Sequence, residues 1–198
     1  MIVCQLAGFL GSGKTTLLIR LGTFLGNAGR RVAIIVNEIG EIGVDGAVIE
    51  SDGMKSIELT EGCICCTLSG SLQNTLRQIA REFAPDIIMI EPTGLALPTK
   101  IKQIVRTSMI GEDRTFTICL IDAFRARKLF DEAGTFLTRQ MEGSDIIVVN
   151  KVDLVSHDDK EYVKNLVRYI SPSTPLVFIS ARDGQGIDEV VSLLEEAL

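Results

Sequence analysis

Apolar positions along this chain fall into two patterns, short unbroken runs and longer stretches repeating at helical spacing. The runs are Ile2 to Ala7, Val32 to Val36, Asp86 to Ile90, Phe116 to Ile121, Ile146 to Val149 and Leu176 to Ile179. Short β-branched runs of this kind predict strands buried on both faces of a parallel sheet. Between them, Leu17, Leu18, Leu21 and Leu25 predict a helix over 14–27, ended by Gly29. Leu68, Leu72, Leu76, Ile79 and Phe83 predict a second, stopped by Pro85, and Pro98 suits the first turn of a third carrying Ile101, Ile104 and Val105. Val163, Leu166, Val167 and Ile170 mark another helix, and Ile187, Val190, Val191 and Leu194 the last. The stretch 123–142 is polar and weakly periodic and reads as helical. Ser56 to Thr60 alternates as a short strand, and 37–46 carries too many glycines and acids for either regular element. It reads as a loop leaving the carboxyl end of a strand, the edge where ligands bind in open α/β sheets. Strands alternating with helices give a mainly parallel sheet covered on both faces, one domain over 1–198.

The first strand runs into Gly8-Phe9-Leu10-Gly11-Ser12-Gly13-Lys14-Thr15-Thr16, which fits the phosphate-loop pattern in its expected strand-turn-helix setting. Gly8, Gly11 and Gly13, with Ser12 among them, let backbone N–H groups turn inward around anionic oxygens, and the following helix adds its positive end. Lys14 would neutralise the β- and γ-phosphates, and the Thr15 hydroxyl would ligate Mg²⁺. The competing reading is a glycine-rich turn opening an ordinary helix. With strand, helix, Lys and Thr all in place, the fold class is an α/β, three-layer phosphate-loop NTPase.

Two further strand ends carry chemistry. Asn150-Lys151-Val152-Asp153 closes a strand. Asp153 can accept from the guanine N1–H and exocyclic amine, a donor pair adenine lacks. Asn150 would contact guanine or tether the phosphate loop, and the Lys151 stem would cover the ring. Ser180-Ala181 follows the next strand, where the Ala181 N–H would meet the guanine oxygen. Glu91 ends an apolar strand, where a carboxylate reaches Mg²⁺ directly or through water, or else caps the next helix. The Gly94 N–H is placed to sense a γ-phosphate, which makes its loop a switch candidate.

Composition narrows the partners. A net charge of −6 lacks the basic face nucleic acid requires, and no apolar run approaches the roughly 20 residues of a membrane helix. The apolar N-terminus has no basic segment before it, which argues against a signal peptide. Of five cysteines, Cys63, Cys65 and Cys66 crowd together, unlike a disulfide scaffold, and a cytoplasmic setting is expected. Three thiolates suit zinc above all, with cobalt or copper(I) also matched. The open fourth place would go to Glu41, to water or to a partner's ligand. Buried small hydrophobes or redox thiols are the alternative, and that reading is assigned to Cys4 and Cys119, on predicted strands.

Gly8 to Thr16, Asn37-Glu38-Ile39-Gly40-Glu41, Leu59 to Cys66, Glu91-Pro92-Thr93-Gly94 and Asn150 to Asp153 together resemble the CobW-type metallochaperone GTPases. These are relatives of the hydrogenase- and urease-maturation GTPases within the SIMIBI class. The resemblance covers essentially the whole chain, and the Gly-Cys-Ile-Cys-Cys block is specific to that family. It implies that Glu38 is the switch acid near Mg²⁺ and the attacking water, and that Glu41 is a metal ligand. It implies GTP and GDP as nucleotides and zinc or cobalt as cargo. A client metalloenzyme or cofactor-assembly protein would receive that cargo, and a nucleotide- or metal-dependent homodimer is a further expectation. Val36 stands where members often carry an acid, and His157 is the sole histidine where many have a histidine-rich tract. The expectation is a single GTPase domain without the C-terminal CobW-type domain. The alternatives are a GTP-dependent regulator with structural zinc and a small-molecule kinase, the latter disfavoured by Asn150 to Asp153.

Overall fold

The computed structural model describes residues 1–36, 50–51, 54–58 and 69–196. Its strands are β1 (Ile2–Gly8), β2 (Val32–Val36), β3 (Glu50–Ser51), β4 (Met54–Glu58), β5 (Ile87–Glu91), β6 (Arg114–Asp122), β7 (Ile146–Asn150) and β8 (Leu176–Phe178). They form one sheet in the order β3-β4-β2-β5-β1-β6-β7-β8. All pairings are parallel except the short β3–β4 hairpin. The helices are α1 (Lys14–Asn27), α2 (Ser69–Glu82), α3 (Pro98–Ser108), α4 (Ala126–Met141), α5 (His157–Ile170) and α6 (Ile187–Glu195).

Alternation along the central strands distributes side chains to two faces. Cys4, Leu6, Ile118, Leu120 and Val148 face α1 and α6, whose Leu17, Leu21, Val190 and Leu194 complete that core. Val3, Ile88 and Ile90 face α2 and α3, packing on Leu72, Leu76, Ile101 and Val105. Cys119, Ile121, Ile147 and Val149 face α4 and α5. Among the described residues, two helices on one face and four on the other give the three layers expected from strand-helix alternation. Strand β1 is flanked by β5 and β6, so the segment following Gly8 emerges from the middle of the sheet.

Most predicted elements match in place and extent. The expected strand Ser56–Thr60 is observed as β4, Met54–Glu58, and Leu59 and Thr60 lie outside the described residues. Alternation located the strand, but its start is set by pairing with β2, where Val32 stands opposite Met54. The weakly periodic stretch is α4, with Ala133 at φ −139° breaking the helix in two. A face that changes course at a kink cannot show one clean period. Helix α1 closes with the Arg30 N–H donating to the Leu25 carbonyl at 3.0 Å and Gly29 N–H to Gly26 at 2.9 Å.

The side chain of Leu21 is fully buried between α1 and the sheet. Leu21→Ala removes that packing and should lower unfolding free energy by about 2–5 kcal/mol, measured by urea denaturation.

Candidate functional site

Register alone brings the chemistry to one edge. Gly8 stands beside Leu120, Asp122 beside Asn150, and Val36 beside Glu91, so all these strands end together. The loop after β1 is folded by the Ser12 N–H donating to the Phe9 carbonyl at 3.1 Å. Gly13, at φ +97°, caps α1 with no side chain contributing and no acid in the first turn. The free N–H groups of that turn therefore fit an anion. Ser12 Oγ is buried without a hydrogen-bond partner, an unfilled polar position that fits a phosphate oxygen. Lys14 is 5% exposed, its Nζ 4.0 Å from Glu91 Oε1 and 3.4 Å from the Phe9 carbonyl. Burial holds its pKa down, Glu91 works in the opposite direction, and the nearby Arg125 cation adds to the depression. An ammonium so placed is incompletely compensated and gains from an incoming polyphosphate.

Thr15 donates its hydroxyl to Glu91 Oε1 at 3.0 Å. That orientation keeps the hydroxyl oxygen available as an acceptor, so Thr15 and Glu91 together fit a divalent cation. Glu91 does not cap α3, whose N-cap is Leu97 and lacks a side-chain bond. Gly94 sits directly against the phosphate loop, where a Cβ would come within 2.5 Å of Leu10 N. From below, Gln140 of α4 donates to the carbonyls of Gly94 and Ala96 at 3.1 and 3.2 Å.

The second motif meets the first through Asn150. Its Nδ2 donates to the Ser12 carbonyl at 2.8 Å, and its Oδ1 accepts from the Ala181 N–H at 2.9 Å. Of the two roles expected for Asn150, the structure displays the tether. The Ala181 N–H expected to meet a guanine oxygen is instead engaged by Asn150, because a buried amide needs both its groups satisfied. Ser180 bonds through Oγ to Asp183 at 2.9 Å. Lys151 adopts φ +67°, and its ammonium reaches Asp122 Oδ2 at 2.7 Å. Asp153 faces the Arg182 guanidinium at 3.1 Å, so a cation stands against the carboxylate that was expected to accept two N–H donors of a base.

Asp122, Arg125, Gln140 and Arg182 carried no assigned role in the sequence. Asp122 has no exposed side-chain surface and accepts from Arg125 Nε at 2.6 Å as well as from Lys151. Burial alone would raise its pKa, but the hydrogen bonds from Lys151 and Arg125 outweigh that and hold the carboxyl below the usual aspartate range. Arg125 continues to the phosphate loop, donating through Nη2 to the Leu10 carbonyl at 2.6 Å. In sequence Asp122 is only an acid closing an apolar run with an arginine three residues on; its place between the two motif strands comes from the sheet order.

Glu38, Glu41, Cys63, Cys65, Cys66 and the loop 37–46 lie outside the described residues. Among the described residues no group of three or more His, Cys, Asp or Glu could hold a metal ion. Cys4 and Cys119 are buried free thiols. Burial pushes Cys119 up to about 12, against opposing effects of Ser144 and Lys14. Cys4 is raised further, chiefly by burial. Both therefore behave as small apolar groups, as expected. Among the described residues no helix is long and apolar enough to cross a membrane.

Comparison with known proteins agrees with this geometry. Residues 2–178 match the family model described as CobW/HypB/UreG, nucleotide-binding domain. The chain is 35% identical over 162 residues to the zinc chaperone YeiR of Escherichia coli, covering 79% of this chain and 48% of the relative. It is 32% identical over 211 residues to the zinc chaperone CobW of a Sinorhizobium species, covering 91% and 58%. The chain thus spans about half the length of these curated relatives. The crystal structure of hydrogenase maturation factor HypB from Archaeoglobus fulgidus superposes with a TM-score of 0.72 at 19% identity, covering 100% of this chain and 90% of that one, a likeness of fold. The chain belongs to the CobW/HypB/UreG nucleotide-binding domain family.

Proposed function

We propose that residues 1–198 act as one GTPase domain that binds and hydrolyses GTP with Mg²⁺ and couples this to the handling of a transition metal. The observation that carries the reading is Asn150. It fastens the phosphate loop at Ser12 and the segment beyond β8 at Ala181 through one buried amide, making the two motifs a single nucleotide site. Lys14 and the N–H groups of the loop stabilise charge developing on the phosphoryl oxygens. Thr15, with Glu91 and Glu38 through water, would hold Mg²⁺, which neutralises charge on the β- and γ-oxygens. Glu38 orients the attacking water. Gly94, pressed on the phosphate loop, reports the γ-phosphate. Asp153 accepts from the guanine N1–H and amine once Arg182 gives way.

Cys63, Cys65 and Cys66, with Glu41, bind the cargo, zinc or cobalt, for delivery to a client metalloenzyme or cofactor-assembly protein in the cytoplasm. The relatives named zinc chaperones support this reading. A nucleotide- or metal-dependent homodimer is part of the same proposal.

Three outcomes test the reading. By calorimetric titration GTP and GDP should bind far better than ATP, and Asp153→Asn should shift preference towards xanthosine nucleotides, whose 2-oxo group replaces the amine; equal affinity for ATP and GTP overturns the base assignment. In hydrolysis assays, Lys14→Ala should lose nucleotide affinity through the phosphates. Glu38→Ala should bind normally yet hydrolyse poorly, and a wild-type rate would remove Glu38 as the water-positioning acid. Zinc or cobalt affinity at the three cysteines should differ between the GDP and GTP-analogue forms by about 5–150-fold. The Cys63, Cys65 and Cys66 triple Cys→Ser variant is the control, and identical affinities would leave a structural zinc site.

A further inference from the structure

Asp122 belongs to neither sequence motif, yet both lean on it. Its Oδ1 accepts from the backbone N–H groups of Phe124 and Arg125 at 3.0 and 3.2 Å, which fixes the turn after β6. Its Oδ2 is shared by two cations, Arg125 Nε at 2.6 Å and Lys151 Nζ at 2.7 Å. The same Arg125 guanidinium holds the Leu10 carbonyl at 2.6 Å and lies so close to Gly11 that a Cβ there would come within 3.2 Å of Nη2. One buried carboxylate oxygen therefore fixes a cation against the phosphate loop and the lysine of the Asn-Lys-x-Asp motif. A buried carboxylate is costly unless paired, and its two cationic partners are Lys151 of one motif and Arg125, which holds the Leu10 carbonyl of the other.

We infer that Asp122 is a positioning residue for nucleotide binding, coupling the base-recognition motif to the phosphate loop through Lys151 on one side and Arg125 on the other. The inference rests on the guanine-nucleotide reading given above. A base covering the Lys151 stem needs that stem held in place, and the hold is the Asp122 ion pair. A polyphosphate in the loop needs the Leu10–Gly11 backbone held in place, and that hold is Arg125. Because both cations share Oδ2, removing one lets the carboxylate turn fully to the other. The two ends of the nucleotide site are therefore not independent. Asn150 joins the same motifs through neutral hydrogen bonds, whereas Asp122 joins them through charge, so the two links can be separated by substitution.

Asp122→Asn is the informative change. The amide oxygen can keep the turn by accepting from Phe124 and Arg125 N–H, while the NH₂ group opposes the two cationic donors. GDP and ADP affinities are measured by calorimetric titration for wild type, Asp122→Asn, Arg125→Met, Lys151→Met and the Arg125→Met/Lys151→Met double variant, with thermal unfolding of each. Asp122→Asn should weaken GDP and narrow the GDP-over-ADP preference while unfolding stays cooperative. The double-variant cycle should show non-additive loss of GDP affinity, by a factor within about 2- to 150-fold. Should Asp122→Asn fail to fold, the cycle decides alone, because Asp122 is intact in its members. Wild-type GDP affinity in Asp122→Asn, or strictly multiplicative effects of Arg125→Met and Lys151→Met, overturns the inference and leaves the guanine reading standing. A wild-type protein that binds no GDP overturns both.

Discussion

The site depends on one side-chain amide buried between three segments that are far apart in sequence. Asn150 gives its N–H to Ser12 and takes the N–H of Ala181, so the phosphate loop, the end of β7 and the segment after β8 share one fastening. The cost of burying an amide unpaired makes this a two-sided constraint. It explains the glycine at position 13: a Cβ there would stand 2.2 Å from Asn150 Nδ2, so the tether and the absence of a side chain are a single requirement. The parallel register then does the rest, because Asp122 and Asn150 end side by side and bring their side chains to the same edge as Gly8.

Charge at this edge is arranged as alternating signs. Lys14 faces Glu91, Arg125 and Lys151 face Asp122, and Arg182 faces Asp153. The exposure of the partners separates their roles. Asp122 is wholly enclosed and its pairs are structural commitments, while the Arg182 side chain is 73% exposed and its hold on Asp153 is weak enough to exchange. Arg182 also ties itself to Asp183, and its carbonyl accepts from Arg20 of α1, so its backbone is fixed although its head group is not. On the proposed guanine reading, Asp153 passes from an arginine to a base without being left unpaired at either end.

Much of this was legible in the sequence because the strongest signals are local. Periodicity placed α1 from Lys14 to Asn27, and apolar runs placed β2, β5 and β7, since strands buried on both faces cannot conceal their composition. The phosphate loop and the Asn-Lys-x-Asp turn were readable because each is contiguous. What escaped was relational. That Ala181 serves Asn150, that Lys151 reaches Asp122, and that Gln140 of a kinked helix supports Gly94 follow from which strands neighbour one another. Spacing along the chain carries no trace of β6 lying between β1 and β7. The start of β4 was misplaced for the same reason, register with β2 being a property of the pair.

Helix α4 gives the edge a second layer of support. Phe136 meets Phe9 of the phosphate loop edge-to-face at 6.2 Å, and Gln140, one turn on, holds the carbonyls of Gly94 and Ala96. The two contacts lie beyond the break at Ala133, in the C-terminal half of the helix. Gly94 is thus clamped between the Leu10 backbone on one side and a buried glutamine on the other. A loop held on both faces cannot shift by itself; any displacement caused by a phosphate at Leu10 must be shared with α4. Packed interfaces respond to such pushes by changing arrangement as a unit, because close-packed side chains leave no room for gradual deformation. The distal half of α4 therefore packs with the 93–97 segment and the phosphate loop as one unit at the sheet edge.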